Sequence, residues 1–252
     1  FIDGAKTCDI LQNSEQAREV GSALGMFHLL VSDLPATALA DTLPGFHITP
    51  GYLRQYEEVT AEQPPPSSPE VAYAVAFIQA RRGWAPVLEE ARQTGLLVDR
   101  PIHGDPKVSN VMLDAATGQA VSLIDLDTVK PGLVHYDLGD CLRSGCNPLG
   151  EETADWHRVR FDPSYCQAIL TGYLAKARDF LTPGDYEFMF DGIRLIAFEL
   201  GLRFFTDFLA GDVYFKASRP QHNLTRALVQ FKLTESIESQ EATIRRLIRE
   251  LQ

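Results

Sequence analysis

Residues 193–209, IRLIAFELGLRFFTDFL, are apolar on more than one face of a helical repeat. A helix with so little polar surface must be surrounded, so this stretch is expected at the centre of the fold. Thr182 precedes it as an N-cap, Pro183 takes the first helical position, and Asp185 and Glu187 put negative charge in the first turns. Arg203 and Asp207 lie one turn apart inside this run. An arginine in so apolar a helix requires a partner: Asp207 or Glu199 within the helix, or a ligand.

Other helices gather round it. In residues 13–34, Ala17, Val20, Leu24, Phe27, Val31 and Leu34 recur at three- and four-residue steps, with Asn13 or Ser14 as N-cap and Pro35 after the end. Gly21 and Gly25, one turn apart, would admit another backbone at close range. Residues 69–80, 85–94 and 164–181 are further helices, and 223–251 is expected to close the chain as one charged amphipathic helix. Residues 36–68 are rich in turn formers, with a short helical piece near 52–60 and an extended surface connection at PPPSS. His28, beside an apolar stripe, reads as a hydrogen-bonded packing residue, and His47 as a surface residue. The opening FIDG reads as the end of a strand entering a turn.

Across 252 residues, 45% hydrophobic and 23% charged content fit a globular chain with ample core. A net charge of −11 argues against nucleic acid or an anionic membrane as the main partner. Cys8, Cys141, Cys146 and Cys166 show neither metal-site spacing nor a disulfide framework, which points to a reducing, cytoplasmic setting. No apolar run reaches the ~18 residues of a membrane span, and no secretory signal pattern opens the chain.

The chemistry-bearing stretch is 101–140, PIHGDPKVSNVMLDAATGQAVSLIDLDTVKPGLVHYDLGD. PIH, NVMLD and AVSLID are expected as short strands, with ATGQ as the turn of a hairpin. Asp105 and Asn110 then lie on the loop after one strand, and Asp125 and Asp127 share a face at the end of another. Polar groups at the ends of rigid strands suit a site for a metal and a phosphate. Phosphoryl transfer needs a carboxylate to accept the acceptor hydroxyl's proton and oxygen ligands to hold Mg²⁺ against nucleotide phosphates. Asp105 is the candidate base, Asn110 and Asp125 the candidate Mg²⁺ ligands, and Lys107 the group that neutralises the moving phosphoryl. Asp127 is a candidate second ligand or orienting carboxylate. Asp137 stands where it would cap the next helix, with Asp140 three residues on, and structural roles are expected for both.

The spacing H-x-D-x-K-x-x-N followed by I-D-x-D resembles the catalytic and metal-binding loops of the protein-kinase-like fold. More narrowly it resembles the aminoglycoside phosphotransferase and choline kinase superfamily, which carries H-G-D-x-x-x-x-N and then I-D-x-(D/E). The resemblance implies a mainly α fold with a small β-hairpin region, ATP as donor and Mg²⁺ as cofactor. In the wider family the aspartate matching Asp137 organises the loop. Such enzymes use an upstream β-rich lobe with a glycine-rich loop and a phosphate-binding lysine. Neither feature precedes Asp105, so residues 1–252 are expected to be the C-terminal lobe alone, without the nucleotide lobe. Within it, 1–150 would carry the helices and both loops, and 151–252 the helical acceptor-binding part.

Two pairs of segments narrow the resemblance. IDLDTVKPGLVHYDLGD with LRFFTDFLAGDVYFK, and LGMFHLLVSDLP with DTLPGFHITPGYL, are similar to the bacterial N-acetylhexosamine 1-kinase group. That implies phosphorylation of the anomeric hydroxyl of N-acetylglucosamine or N-acetylgalactosamine, with the sugar touching Asp105, Arg203, Tyr214 and Phe215. The physics is compatible, because arginine offers a fork of donors and aromatic faces stack under a sugar's C–H surface. On the residues alone, Arg203 reads instead as a core salt bridge and the two rings as packing. Rival readings are a kinase of the same fold acting on an aminoglycoside, choline or another sugar, and a non-catalytic binding domain. Metal-dependent hydrolysis is a third, against which Lys107 beside the base argues.

Overall fold

The structure, a computed structural model, describes residues 2–252. The first half runs β1 (Ala5–Lys6), α1 (Ser14–Leu30), α2 (Thr49–Glu62), α3 (Pro69–Arg81), α4 (Val87–Gln93), β2 (Arg100–Ile102), β3 (Val111–Asp114), β4 (Ala120–Leu123) and β5 (Lys130–Gly132). The second runs α5 (Val134–Gly145), α6 (Pro163–Ala177), α7 (Pro183–Leu209), α8 (His222–Ser239) and α9 (Glu241–Leu251).

Helix α7 is the central element, started by a reciprocal cap in which Thr182 Oγ1 accepts from Asp185 N–H and Asp185 Oδ2 accepts from Thr182 N–H. Its apolar character has two targets. Phe190, Ile193 and Ala197 enter a core with Leu24 of α1, Leu142 of α5 and Tyr173 of α6. Phe198, Leu202 and Phe205 enter a second with Phe77 of α3, Leu88 of α4 and Phe231 of α8. Each fully buried Leu, Ile or Phe among these contributes about 1.5–3 kcal/mol. Among the described residues, no helix is long and apolar enough to cross a membrane.

The glycine pair of α1 meets α6 at backbone distance. A Cβ at Gly21 would stand 2.0 Å from Ile169 O, and one at Gly25 2.6 Å from Tyr173 O. The contact ties the start of the chain to the helices beyond residue 150.

Several elements differ from expectation. The expected opening turn falls at Asp3 and Gly4, with Phe1 outside the described residues, and strand β1 follows that turn and pairs with β3 to give the antiparallel order β1-β3-β4. The hairpin β3/β4 forms as expected, with Val111 opposite Leu123. The PIH strand, β2, instead pairs with β5 in a separate two-stranded sheet, Ile102 opposite Lys130. Helix α1 stops at Leu30, before the turns that lead to Pro35. Helix α2 is longer than the piece expected near 52–60. The closing helix is two, broken at Gln240 (φ −110°, ψ 13°), whose side-chain amide donates to Phe161 O at 2.9 Å. That bond holds the bend and lets Ile244 and Ile248 of α9 reach the first core.

Candidate active site

Strand β2 delivers His103, Gly104 and Asp105 into a tightly specified loop. Gly104 has φ +88°, and a Cβ there would lie 2.6 Å from Thr128 O, so the middle of H-G-D admits only glycine. His103 Nε2 donates to Ile124 O at 3.0 Å and its Nδ1 accepts from Asp105 N–H at 3.3 Å, which assigns a neutral ring protonated on Nε2.

Asp137 does not cap its helix. Leu133 is the N-cap of α5, and Asp137 lies inside the first turn, turned toward the loop. Its carboxylate accepts from His103 N–H at 2.7 Å and Gly104 N–H at 2.8 Å, and His28 Nε2 lies 2.8 Å away. Burial pushes this carboxyl's pKa up, but His28 and the two amides outweigh it and hold the group below the usual carboxylate range. His28 also reaches the Tyr173 hydroxyl at 3.0 Å, so it is the buried, hydrogen-bonded histidine its sequence position suggests.

Asp105 is contacted by Lys107 Nζ and by Asn110 Nδ2, which donates to its carboxylate at 3.1 Å and its carbonyl at 2.7 Å. Burial, then the charge of Asp140, raise its pKa above the ordinary value, with Lys107 and Arg143 opposing. Asn110 is tied in turn to the hairpin, because Ile124 N–H donates to its carbonyl at 2.9 Å. The next residue, Asp125, takes the left-handed conformation (φ 66°, ψ 56°) and leaves the strand, so Asp125 and Asp127 do not share a strand face. Asp127 instead lies in a 3₁₀ turn, and both carboxylates are exposed.

The donor set suits Mg²⁺. Asn110 spends its NH₂ on Asp105, which leaves the amide oxygen as its ligand atom, and Asp125 offers an exposed carboxylate. Among the described residues no group of three or more His, Cys, Asp or Glu is placed to hold a metal ion. A partial oxygen set of this kind matches an ion that keeps waters and substrate phosphates in its shell.

Asp105 and Lys107 open on a cleft of about 870 Å³. The same cleft is lined by Arg203, whose guanidinium lies among four rings, with centroids at 5.1 Å (Phe46), 4.9 Å (Tyr52), 5.9 Å (Tyr214) and 5.3 Å (Phe215). Neither carboxylate expected to pair with Arg203 does so. Asp207 accepts backbone N–H bonds from Val213, Tyr214 and Phe215 at 3.0, 2.8 and 2.9 Å, folding that loop back beside α7. Glu199 accepts from Thr49 Oγ1 at 2.6 Å and bonds His47 at 2.8 Å. Arg203 is therefore held by ring faces, without a salt bridge among the described residues.

His47 is not on the surface. It is 5% exposed, with Nε2 2.8 Å from Gly104 O and its ring stacked on Tyr136. The cleft wall is completed by an ion chain in which Arg143 grips Asp140 at 2.6 Å and Glu151 at 2.9 Å. The structure thus gathers Asp105, Lys107, Arg203, Tyr214 and Phe215 round one cleft, while Asn110, Asp125 and Asp127 lie outside its lining.

Residues 3–180 match the phosphotransferase enzyme family, APH. The chain belongs to that family. Its fold is similar to that of a Plasmodium vivax ethanolamine kinase, with TM-score 0.55 and 16% identity over 91% of this chain and 64% of that one. It is also similar to choline kinase from Cryptosporidium parvum Iowa II (TM-score 0.60, 14% identity, 100% of this chain and 73% of that one). A microcompartment-associated aminopropanol kinase gives TM-score 0.59 and 14% identity over 97% of this chain and 68% of that one. Identities this low speak to fold, and the mainly helical kinase-like architecture expected of the chain is the one observed. The chain spans 64% of the length of the ethanolamine kinase.

Phe46, His47, Tyr52, Asp140, Arg143 and Glu199 line the cleft of this phosphotransferase-family chain and were not marked as site residues by the sequence. Glu199 had a local signal, a carboxylate inside a helix apolar on several faces. Phe46, His47 and Tyr52 lie in the DTLPGFHITPGYL segment that carries the resemblance, but nothing local in it marks them for a site, because only tertiary packing brings that turn-rich segment to the loop holding Asp105.

Proposed function

We propose that this chain acts as a small-molecule kinase, moving the γ-phosphoryl group of ATP to a sugar hydroxyl, with the anomeric hydroxyl of an N-acetylhexosamine as the preferred acceptor. The observation that supports the reading is the cleft itself, which is lined by both Asp105 and the caged Arg203. The acceptor oxygen forms a bond to phosphorus as the bond to the ADP oxygen breaks, and the hydroxyl proton passes to Asp105. Lys107 neutralises charge on the group in flight. Asn110 and Asp125 would hold Mg²⁺, which when bound shields the donor's phosphate oxygens. Arg203 donates to sugar or acylamino oxygens, and Tyr214, 73% exposed, and Phe215 offer faces to the C–H surface of the ring.

The similar solved structures carry the names of kinases for amino alcohols, which makes a cationic acceptor the alternative. The cage argues for a neutral one. Its rings already surround a guanidinium, and a second cation placed there would meet Arg203 as a like charge. Calorimetric titration with N-acetylglucosamine, N-acetylgalactosamine, choline and ethanolamine distinguishes the two. The reading predicts hexosamine binding that is lost in Arg203→Ala. Choline or ethanolamine binding that tightens in that variant would replace the sugar with an amino alcohol.

A further inference from the structure

The geometry points to His47 as a positioning residue: an imidazolium bridge between Glu199 and the Gly104 carbonyl that fixes the loop carrying Asp105 and ties one wall of the acceptor cleft to it. The inference deepens the kinase reading and rests on the assignment of Asp105 as base.

Both ring nitrogens of His47 face acceptors. Nε2 is 2.8 Å from Gly104 O, a carbonyl that cannot donate, and Nδ1 is 2.8 Å from Glu199 Oε1. With Glu199 as a carboxylate both partners are acceptors, and the ring then carries both protons. The other Glu199 oxygen accepts from Thr49 Oγ1 at 2.6 Å, so one carboxylate holds both ends of the 47–49 segment. All three side chains are buried, at 5%, 1% and 1% exposure. His47 has φ +64°, a left-handed conformation a non-glycine residue keeps only where its surroundings hold it.

The groups facing the ring agree with the charged form. Burial opposes it, but the Glu199 charge and hydrogen bond and the Gly104 carbonyl outweigh burial and the repulsion of Arg203, so the His47 pKa is raised. Glu199 and Arg203 approach from α7. From α5 the Tyr136 ring stacks at 5.4 Å, its hydroxyl taken up by Glu89 of α4. From α2 comes Tyr52, whose phenol is pushed up to about 12 and stays neutral. On the catalytic loop the neighbour of Gly104 is Asp105.

Two links to function follow from this bridge. Gly104 precedes Asp105, so the bond to its carbonyl restrains the peptide unit that sets the carboxylate's direction. Phe46, attached to His47, forms one face of the cage round Arg203 at 5.1 Å. A histidine whose folded pKa is raised is fully charged below its unfolded value and loses its proton as pH rises through the folded one, so the bridge is complete on the acid side of that value and fails on the alkaline side.

The test has two arms on the full chain. In the first, long-range ¹H–¹⁵N spectra follow the His47 ring from pH 6 to 9.5, and amide exchange reads residues 103–105 in wild type and His47→Gln. Protons on both ring nitrogens at pH 7.5, and exchange at Asp105 about tenfold faster in the variant with α1 and α6 unchanged, support the bridge. An unprotonated ring nitrogen at pH 7.5, or equal exchange, overturns it. In the second arm, hexosamine affinity is titrated against pH. Wild type should lose affinity at least tenfold across an alkaline transition that is absent from His47→Gln and displaced in Glu199→Gln. A wild-type profile without that transition, or one that the variant shares, overturns the positioning role. Hexosamine binding absent at every pH contradicts the sugar reading instead, and the ring protons and amide exchange then decide the bridge by themselves.

Discussion

Asp137 shows how one buried carboxylate organises an active loop. It binds two amides and a histidine, and its pKa lies below the ordinary value of about 3.9. A lowered folded pKa contributes stability that is present above the unfolded value and lost as pH falls through the folded one. Asp137→Asn should therefore cost about 1.5–3 kcal/mol at pH 7, the scale of hydrogen bonds to a charged group. The cost should shrink as pH falls below about 4. Urea unfolding of both proteins between pH 3 and 7 checks this, and parallel curves would exclude the carboxylate as the cause. Asp105 works differently, because its pKa is raised and its partners Lys107 and Asn110 come from its own loop. Asp105→Asn removes the proposed proton acceptor and should lower turnover by about 10²–10⁴. Its unfolding midpoint should stay near that of wild type, and near-normal turnover would remove Asp105 from the role of base.

At the scale of elements, close helix contacts set the frame. Gly21→Ala places a methyl 2.0 Å from Ile169 O of α6, a backbone atom that cannot turn away. A loss of at least about 1–3 kcal/mol is expected, the range for overpacking. Gly51→Ala in α2 meets only the Arg54 guanidinium at 3.8 Å and should be neutral or stabilising by up to about 1 kcal/mol. Denaturant unfolding of both variants compares them directly, and a harmless Gly21→Ala would show that α1 and α6 can separate. These helices were legible in the sequence because apolar period, caps and small residues are local signals. The pairing of β2 with β5 was less so, since KPG carries little strand propensity and is held by its partner. The break at Gln240 was also hidden, because it depends on Phe161, far away in the chain.

For the whole molecule, the site divides by the same rule. Asp105, Asn110 and Asp125 lie within one continuous stretch, and their spacing alone marks them. The pair His47 and Glu199 is separated by 152 residues, and nothing in either segment announces the other. Arg203 stood out as a misfit in an apolar helix, but its aromatic surroundings come from α2, the turn before it and the turn after α7. The cleft that results joins Asp105 and Lys107, the proposed base and phosphoryl-stabilising lysine, to a wall drawn from residues 42–55 and 196–226. The most direct test is to incubate the chain with Mg·ATP and N-acetylglucosamine or N-acetylgalactosamine and follow the products by ³¹P NMR, beside Asp105→Asn. Growth of an anomeric sugar phosphate with wild type, and its absence with the variant, is the predicted result. Equal product from both proteins, or phosphate appearing only on an amino alcohol added in competition, would contradict it.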